Sequence, residues 1–294
     1  MQRRYVFAHR SPVTVEDHGG AGTPIVLVHG LGGSAGNWSL VAPRLSDIGR
    51  VIAIDLPGHG RSGPVHRHDL DAHLNALTAV IELHEFRSVI LAGSSMGGLV
   101  AKMLAARRPD LVARLVLLAP ATPPPTLTMP ATPIVAARLA IRSMPVIGPA
   151  ASAVLVSRWT PREQVEEKLR IVMAHPERLP PEAFERALQL ATLRRTMPWA
   201  NRAFAETVGS VRRTLLRRPM YLRMLAAITA PTTLLFGSAD QVVPPVALRR
   251  LADHRPNWRS IEMPDVGHTP MLEVPDLVVR EIEMISRTDR DHVR

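Results

Sequence analysis

The most chemically suggestive stretch of the chain is Gly93–Gly97 (GSSMG), a serine with a glycine two residues away on each side. The apolar run Ser88–Leu91 precedes it, and an Ala-rich stretch with helical spacing follows it. A sharp strand-to-helix turn strains the backbone of its central residue, and small neighbours avoid a clash there. The turn also places the Ser95 hydroxyl at a helix N-terminus, where partial positive charge favours an oxyanion. We therefore predict that Ser95 is a nucleophile; the alternative is a glycine-rich turn without chemistry.

A serine hydroxyl is a weak nucleophile until a base removes its proton. His268 lies in a loop after the last predicted strand, and histidine is the side chain best suited to proton transfer near neutral pH. Asp240 follows the run that ends at Phe236, so we predict that it lies at the same sheet edge as Ser95 and orients His268. Asp265 is the alternative carboxylate, although its separation from His268 makes an awkward reach. Three residues of suitable type are instead interpreted as parts of turns: His29, His59 and Asp55.

Acyl transfer also needs hydrogen-bond donors for the developing oxyanion. One predicted donor is the backbone N–H of Met96, the residue after the nucleophile. The second is the N–H of Leu31, in a glycine-rich turn that follows the apolar run Ile25–Val28. The glycines of this turn permit close approach of the backbone, and they also close the turn. Substrate contacts are predicted for Gly30, Gly32, Trp38 and Val243.

Short apolar runs alternate with helical stretches along the chain, which predicts a parallel sheet covered on both faces by helices. The predicted strands are 13–16, 25–28, 51–54, 88–91, 115–118, 232–236 and 259–262. The predicted helices of this α/β part are 71–84, 96–107, 246–253 and 275–287.

Residues 121–229 interrupt this alternation. They contain no convincing strand, begin with a proline-rich stretch and continue with helical patterns at Pro161–Ala174, Pro181–Leu193 and Val211–Ala227. We predict a helical insertion at 121–229 within one α/β domain, whose N-terminal part is 1–120 and whose C-terminal part is 230–294.

The ordered motifs make the chain resemble the α/β-hydrolase superfamily over nearly its whole length. The segments that carry the resemblance are His29–Gly33 with Asn37-Trp38, Asp55–Ser62, Gly93–Gly98, Asp240, and Gly267–Pro270 with Glu273. The H-G-x-G-G-x-x-x-N-W form, together with G-x-S-M-G-G, is similar to bacterial lipases and esterases and to monoacylglycerol-lipase-like proteins. The resemblance implies an α/β-hydrolase fold, with a mostly parallel, eight-stranded type of sheet flanked by helices. It also implies that 121–229 is a cap over the pocket.

The cap composition indicates a small hydrophobic ester as substrate. Adaptable apolar side chains are frequent there, although most pack between helices and core. A carbon–carbon hydrolase of ring-cleavage products is an alternative, disfavoured because Thr269 follows the histidine where those enzymes usually carry tryptophan. A non-catalytic small-molecule-binding homologue is a second alternative, which the complete triad disfavours. The apolar residues singled out are Met129, Met144, Met173, Met197, Trp159 and Trp199.

Composition sets limits on the other functions. The net charge is +10, but the basic residues are scattered arginines with no recognisable nucleic-acid motif, so no nucleic-acid partner is expected. Weak peripheral association with anionic membranes is a further expectation. The chain has no cysteine, no signal-peptide pattern and no apolar run that could span a bilayer, so we expect a soluble, cytoplasmic protein. No cofactor or metal is expected, and the sequence does not indicate the oligomeric state.

Overall fold

The computed structural model describes residues 1–8, 11–124 and 159–288, which form an α/β fold around one eight-stranded sheet. The strand order is β1-β2-β4-β3-β5-β6-β7-β8. The pairs β1–β2 and β2–β4 are antiparallel, and all other pairs are parallel. The strands are β1 Gln2–Ala8, β2 Ser11–Gly19, β3 Pro24–Val28, β4 Arg50–Ile54, β5 Val89–Ser94, β6 Val112–Leu118, β7 Thr232–Gly237 and β8 Arg259–Met263.

Helices cover both faces of the sheet, as the apolar strand runs predict. Successive strand residues point to opposite faces, so Val26 and Leu91 join one buried cluster while Ile25 and Ile90 join the other. Both clusters are therefore built from the same strands. The helices are α1 Ala42–Leu45, α2 Leu70–Leu83, α3 Met96–Arg107, α4 Pro161–Val172, α5 Pro181–Arg194, α6 Ala200–Leu216, α7 Arg218–Ala226, α8 Pro245–His254, α9 Pro270–Glu273 and α10 Pro275–Thr288.

The edge strand β1 is the strand that the sequence prediction missed. It pairs only with β2, and its Tyr5 and Phe7 side chains are exposed. It begins with three polar residues, Gln2, Arg3 and Arg4, and its place beside β2 depends on a pairing that no local pattern indicates. The seven strands that the sequence predicts are all present.

The described residues between β6 and β7 form helices α4–α7, which we call the interstrand helices. The prediction of one helix over Val211–Ala227 is wrong, because the chain breaks at Arg217 (φ −83°, ψ 59°) between α6 and α7. Pro219 explains the break, since proline inside a helix removes a donor and clashes with the preceding turn. Two residues singled out in the sequence, Met129 and Met144, lie outside the described residues.

Within the described ranges, none of the helices combines the length and the apolar composition needed to cross a membrane.

Parallel pairing brings the carboxyl ends of several strands to one edge of the sheet. Ser95 directly follows β5, Asp240 follows β7 by three residues, and His268 lies in the loop after β8. The turn after β3 ends at the same edge, beside β5. Residues that are far apart in the sequence therefore meet at this edge.

Candidate active site

Ser95 occupies the strained turn between β5 and α3. Its φ of 53° and ψ of −117° lie outside the regions that side chains other than glycine commonly adopt. The surrounding hydrogen bonds hold it there: its N–H donates to the carbonyl of Leu118 (2.9 Å), and its own carbonyl accepts from Ala121 (2.9 Å) and Leu99 (3.1 Å). Backbone strain of this kind costs about 1–3 kcal/mol and persists only where the surroundings impose it.

Two glycines allow the backbone around Ser95 to pack closely. A Cβ atom on Gly97 would lie 2.4 Å from the carbonyl oxygen of His29 and 2.5 Å from that of Val28. A Cβ atom on Gly30 would lie 3.0 Å from Cβ and 3.7 Å from Oγ of Ser95. The turn after β3 therefore lies directly against the serine.

That turn is closed by a hydrogen bond from the Gly33 N–H to the Gly30 carbonyl (3.0 Å), with Gly32 at φ 64°. The Gly30 carbonyl also contacts Nδ1 of His29 (2.7 Å), and Nε2 of His29 lies 3.0 Å from the Leu56 nitrogen. Because the Leu56 N–H can only donate, Nε2 accepts and Nδ1 carries the proton. Burial lowers the pKa of His29 to about 4, so this neutral histidine holds the turn in place.

His268 and Asp240 form a buried pair. Nδ1 of His268 lies 2.8 Å from one carboxylate oxygen of Asp240, and their side chains are 6% and 0% exposed. The other carboxylate oxygen accepts the N–H groups of Val242 (2.8 Å) and Val243 (2.9 Å). Asp240 is thus fixed by its own turn, and Nδ1 of His268 donates to it. Nε2 is then the ring nitrogen that remains for proton transfer.

The loop that carries His268 is anchored by Glu273. One carboxylate oxygen of Glu273 accepts the N–H groups of Gly267 (2.9 Å) and Ala174 (2.8 Å). The His268 N–H itself donates to the carbonyl of Val172 (2.8 Å). In the sequence, Glu273 contributes only to a family resemblance; its contacts become visible only when the loop and the end of α4 come together.

The competing carboxylates lie elsewhere. Asp265 contacts Nε2 of His175 (2.7 Å), and its side chain is 67% exposed. Asp55 accepts backbone hydrogen bonds from Ala35 (2.6 Å) and Arg61 (2.7 Å), which makes it a carboxylate that holds two turns. Neither forms a recorded hydrogen bond with His268 within the described ranges. Nor does any group of three or more histidine or carboxylate side chains in these ranges form a potential metal site.

A cavity of about 1330 Å³ opens beside the serine. Ser95 and His268 line it together with the predicted oxyanion turn, Gly30–Gly32, and the interstrand helices supply most of the remaining wall. Met96 is buried as the first residue of α3, where the initial N–H groups have no partner within the helix. The apolar lining includes Leu169, Ile171, Leu190, Met197 and Phe204.

Two predicted substrate contacts do not fit this arrangement. Trp38 is fully buried in the core cluster beneath β3, where its large apolar surface is completely covered. Val243 packs in the opposite cluster, and its neighbour Val242 lines the cavity instead. Of the apolar residues singled out between β6 and β7, Trp159 and Met197 line the cavity, whereas Met173 is buried in the core.

Comparison with known proteins agrees with this architecture. A model of the alpha/beta hydrolase family matches residues 25–281. A pimeloyl-[acyl-carrier protein] methyl ester esterase from Chromobacterium violaceum is 30% identical over 280 residues, which cover 90% of this chain and 94% of that protein. A malate-bound thermophilic esterase from Thermogutta terrifontis superposes with a TM-score of 0.74 at 25% identity, covering 98% of this chain and 99% of that one.

Some similarities are partial. The dihydrolipoyllysine-residue acetyltransferase component of the acetoin cleaving system of Pseudomonas putida is 45% identical over 104 residues, or 35% of this chain. The matched region spans 28% of that relative's length. The family model and the esterase from C. violaceum, by contrast, extend over most of the chain. The chain therefore belongs to the alpha/beta hydrolase family and is an ester-bond hydrolase of the esterase and lipase type.

Proposed function

We propose that the protein hydrolyses carboxylic esters through a Ser95–His268–Asp240 triad and an acyl-enzyme intermediate. The observation that carries the proposal is the buried contact of 2.8 Å between His268 and Asp240, at the wall of the cavity that also contains Ser95. A base held by a carboxylate, beside a serine in a strained turn, is the arrangement that activates a hydroxyl.

In the proposed mechanism, Ser95 Oγ attacks the ester carbonyl carbon while Nε2 of His268 takes the hydroxyl proton. Asp240 stabilises the resulting imidazolium, and the backbone N–H groups of Leu31 and Met96 stabilise the tetrahedral oxyanion. The intermediate collapses as His268 gives the proton to the leaving alcohol. Water, deprotonated by His268, then attacks the acyl-enzyme. The second intermediate collapses to the acid as His268 returns the proton to Ser95 Oγ.

We further propose that residues 121–229 act as a cap that selects a hydrophobic acyl group. Apolar side chains of α4 and α5, among them Leu169 and Leu190, line the cavity and support this assignment. The methyl ester named for the relative from C. violaceum supports a carboxylic ester as the reacting bond. The volume of about 1330 Å³ leaves room for an extended acyl chain.

A panel of 4-nitrophenyl esters from acetate to palmitate tests this function, with Ser95→Ala beside a matched control, Ser46→Ala, at a serine that does not line the cavity. Removing the nucleophile should lower kcat by about 10⁴-fold or more, whereas Ser46→Ala should retain most of the activity. Wild-type activity on medium-length esters is expected to exceed that on acetate, since longer chains bury more apolar surface.

Labelling gives an independent test. A fluorophosphonate reacts with an activated serine, so peptide mapping of the labelled, folded protein should place the adduct on Ser95. Absence of a Ser95 adduct, together with full esterase activity in Ser95→Ala, would overturn the assignment of the nucleophile.

A further inference from the structure

Lys168 places a positive charge near the carboxyl ends of the parallel strands, where Ser95 lies. It is one of two lysines in the chain and lies on α4. Its Nζ donates to the carbonyl of Gly32 (2.9 Å), and its side chain lines the same cavity as Ser95 and His268. Since Gly32 is two residues from Gly30, which lies against Ser95, the ammonium group lies close to the predicted oxyanion turn.

Two N–H donors of this ammonium group have no hydrogen-bond acceptor among the described residues. An ammonium has three N–H donors, and the Gly32 carbonyl is the one hydrogen-bond acceptor recorded for it within residues 1–8, 11–124 and 159–288. No ion pair with a carboxylate is recorded for Lys168 in those ranges. Four glutamates line the described part of the cavity. Glu167 pairs with Arg170 (3.5 Å) and Glu16 with Arg3 (2.9 Å), while the exposed Glu182 and Glu185 lie on α5 and form no ion pair with Lys168.

A second cation reinforces this charge. Arg194 also lines the cavity, and its guanidinium donates to the carbonyls of Gly58 (3.1 Å) and Gly60 (3.2 Å), so neutral groups hold it. Arg195 lines the cavity as well and donates to the carbonyl of Trp159 (3.0 Å). Lys168 is exposed and carries its charge at pH 7, so the described cavity wall has three positive charges whose hydrogen-bond acceptors are neutral carbonyls.

We propose that Lys168 is a specificity-determining residue that binds a carboxylate carried by the ester substrate. The inference rests on the proposed esterase function and narrows its substrate class to esters that have both an apolar spacer and a free anionic end. A carboxylate at Nζ would accept one or both of the remaining N–H groups. Arg194 would add longer-range attraction without a direct contact.

This inference is tested with matched ester pairs whose two members differ by one carboxylate group. On the acyl side, the 4-nitrophenyl monoester of glutaric acid is compared with 4-nitrophenyl pentanoate. On the alcohol side, 4-carboxyphenyl butyrate is compared with phenyl butyrate. In at least one of the two pairs, the carboxylate of the charged ester should reach Nζ. For that ester, Lys168→Met should lower kcat/KM about 10- to 100-fold, which is the range for a lost hydrogen bond to a charged group. The neutral ester should change less than about threefold, because it makes no such bond.

Two further variants make the interpretation specific. Lys168→Arg keeps the charge and should restore part of the preference for the charged ester. Arg162→Met removes a charge from an exposed side chain of the same helix. Neither Arg162 nor its partner Glu166 lines the cavity, so this variant should leave the preference unchanged.

The outcomes separate the two proposals. Equal effects of Lys168→Met on the charged and neutral members of both pairs would overturn the carboxylate site and leave the esterase function intact. Wild-type rates no higher than those of Ser95→Ala on all four esters would overturn the esterase function, and the inference with it.

Discussion

The backbone N–H of His268 donates a hydrogen bond of 2.8 Å to the carbonyl of Val172, the last residue of α4. The last carbonyls of a helix have no partner within it, so the end of α4 is free to accept this bond. Thr269 Oγ1 donates to the same carbonyl (3.2 Å). Through these contacts, the interstrand helices hold the loop of the proposed base in addition to lining the cavity.

Glu273 is expected to position His268 without touching substrate. Glu273→Ala removes the acceptor for the Gly267 and Ala174 N–H groups, so the loop should lose its fixed geometry. We expect kcat to fall about 10- to 100-fold, as a misplacement of about 1 Å can cost that much, while KM changes little. Steady-state kinetics on one ester, with thermal unfolding of the same samples, measure both effects.

Glu273→Gln provides the comparison, because its amide oxygen can still accept from the two N–H groups. It should retain more activity than the alanine variant. Equal kcat values for wild type and Glu273→Ala would show that the loop does not depend on this side chain.

Gly30→Ala is expected to impair the chemistry more than the fold. The added Cβ would lie 3.0 Å from Cβ and 3.7 Å from Oγ of Ser95, so either the serine or the oxyanion turn must shift by a few tenths of an ångström. We expect a loss in kcat of about 10²-fold, as for loss of an oxyanion donor. Ester kinetics and a thermal melt of the same preparation measure the two effects.

Gly209→Ala in α6 is a suitable control, because the nearest atom to its added Cβ is the flexible end of Arg213, at 3.3 Å. Alanine in a helix interior is favoured over glycine by about 1 kcal/mol, so this variant should melt slightly higher with unchanged kcat. Full activity in Gly30→Ala would contradict the close packing of the turn against Ser95.

A buried histidine is expected to make stability depend on pH. Nε2 of His73 lies 3.1 Å from Thr207 Oγ1, whose own hydrogen goes to the carbonyl of His68 (3.0 Å), so His73 donates. Burial, and the charges that His29 and His68 carry when protonated, lower the pKa of His73 from 6.5 to about 3. The unfolded state thus binds this proton more tightly, and the stabilisation from neutral His73 is lost as pH falls from about 6.5 toward 3.

His73→Gln keeps a donor for Thr207 but cannot titrate. Between pH 7.5 and 5, the difference in free energy of unfolding between wild type and this variant should shrink by about 2 kcal/mol. Burial raises the pKa of Asp55 to about 6, so Asp55 makes the folded state more stable as pH falls. Both proteins contain Asp55, so the comparison with the variant separates its effect from that of His73. Urea unfolding at the two pH values measures the difference, and a gap independent of pH would contradict the prediction.

The sequence by itself indicated which residues are candidates for the nucleophile, the base and its carboxylate, and which strands they follow. The turn at Ser95 is readable because a strained strand-to-helix turn requires small residues at fixed spacing. The sheet core is equally readable, since strands buried on both faces appear as continuous apolar runs. Asp240 and His268 could be chosen because each follows such a run, and parallel strands bring their carboxyl ends to one edge.

The tertiary structure alone decided which side chains face the cavity. Trp38 and Val243 lie in the core because, in an irregular loop, burial depends on packing partners distant in the sequence. The position of β1 at the sheet edge likewise depends on its pairing with β2, because its first three residues are polar and its Tyr5 and Phe7 side chains are exposed. The contacts of Lys168 with Gly32 and of Glu273 with Ala174 join residues about a hundred or more positions apart. Local patterns carry no information about such pairs, and so the features that we propose to select the substrate and hold the base emerged only from the fold.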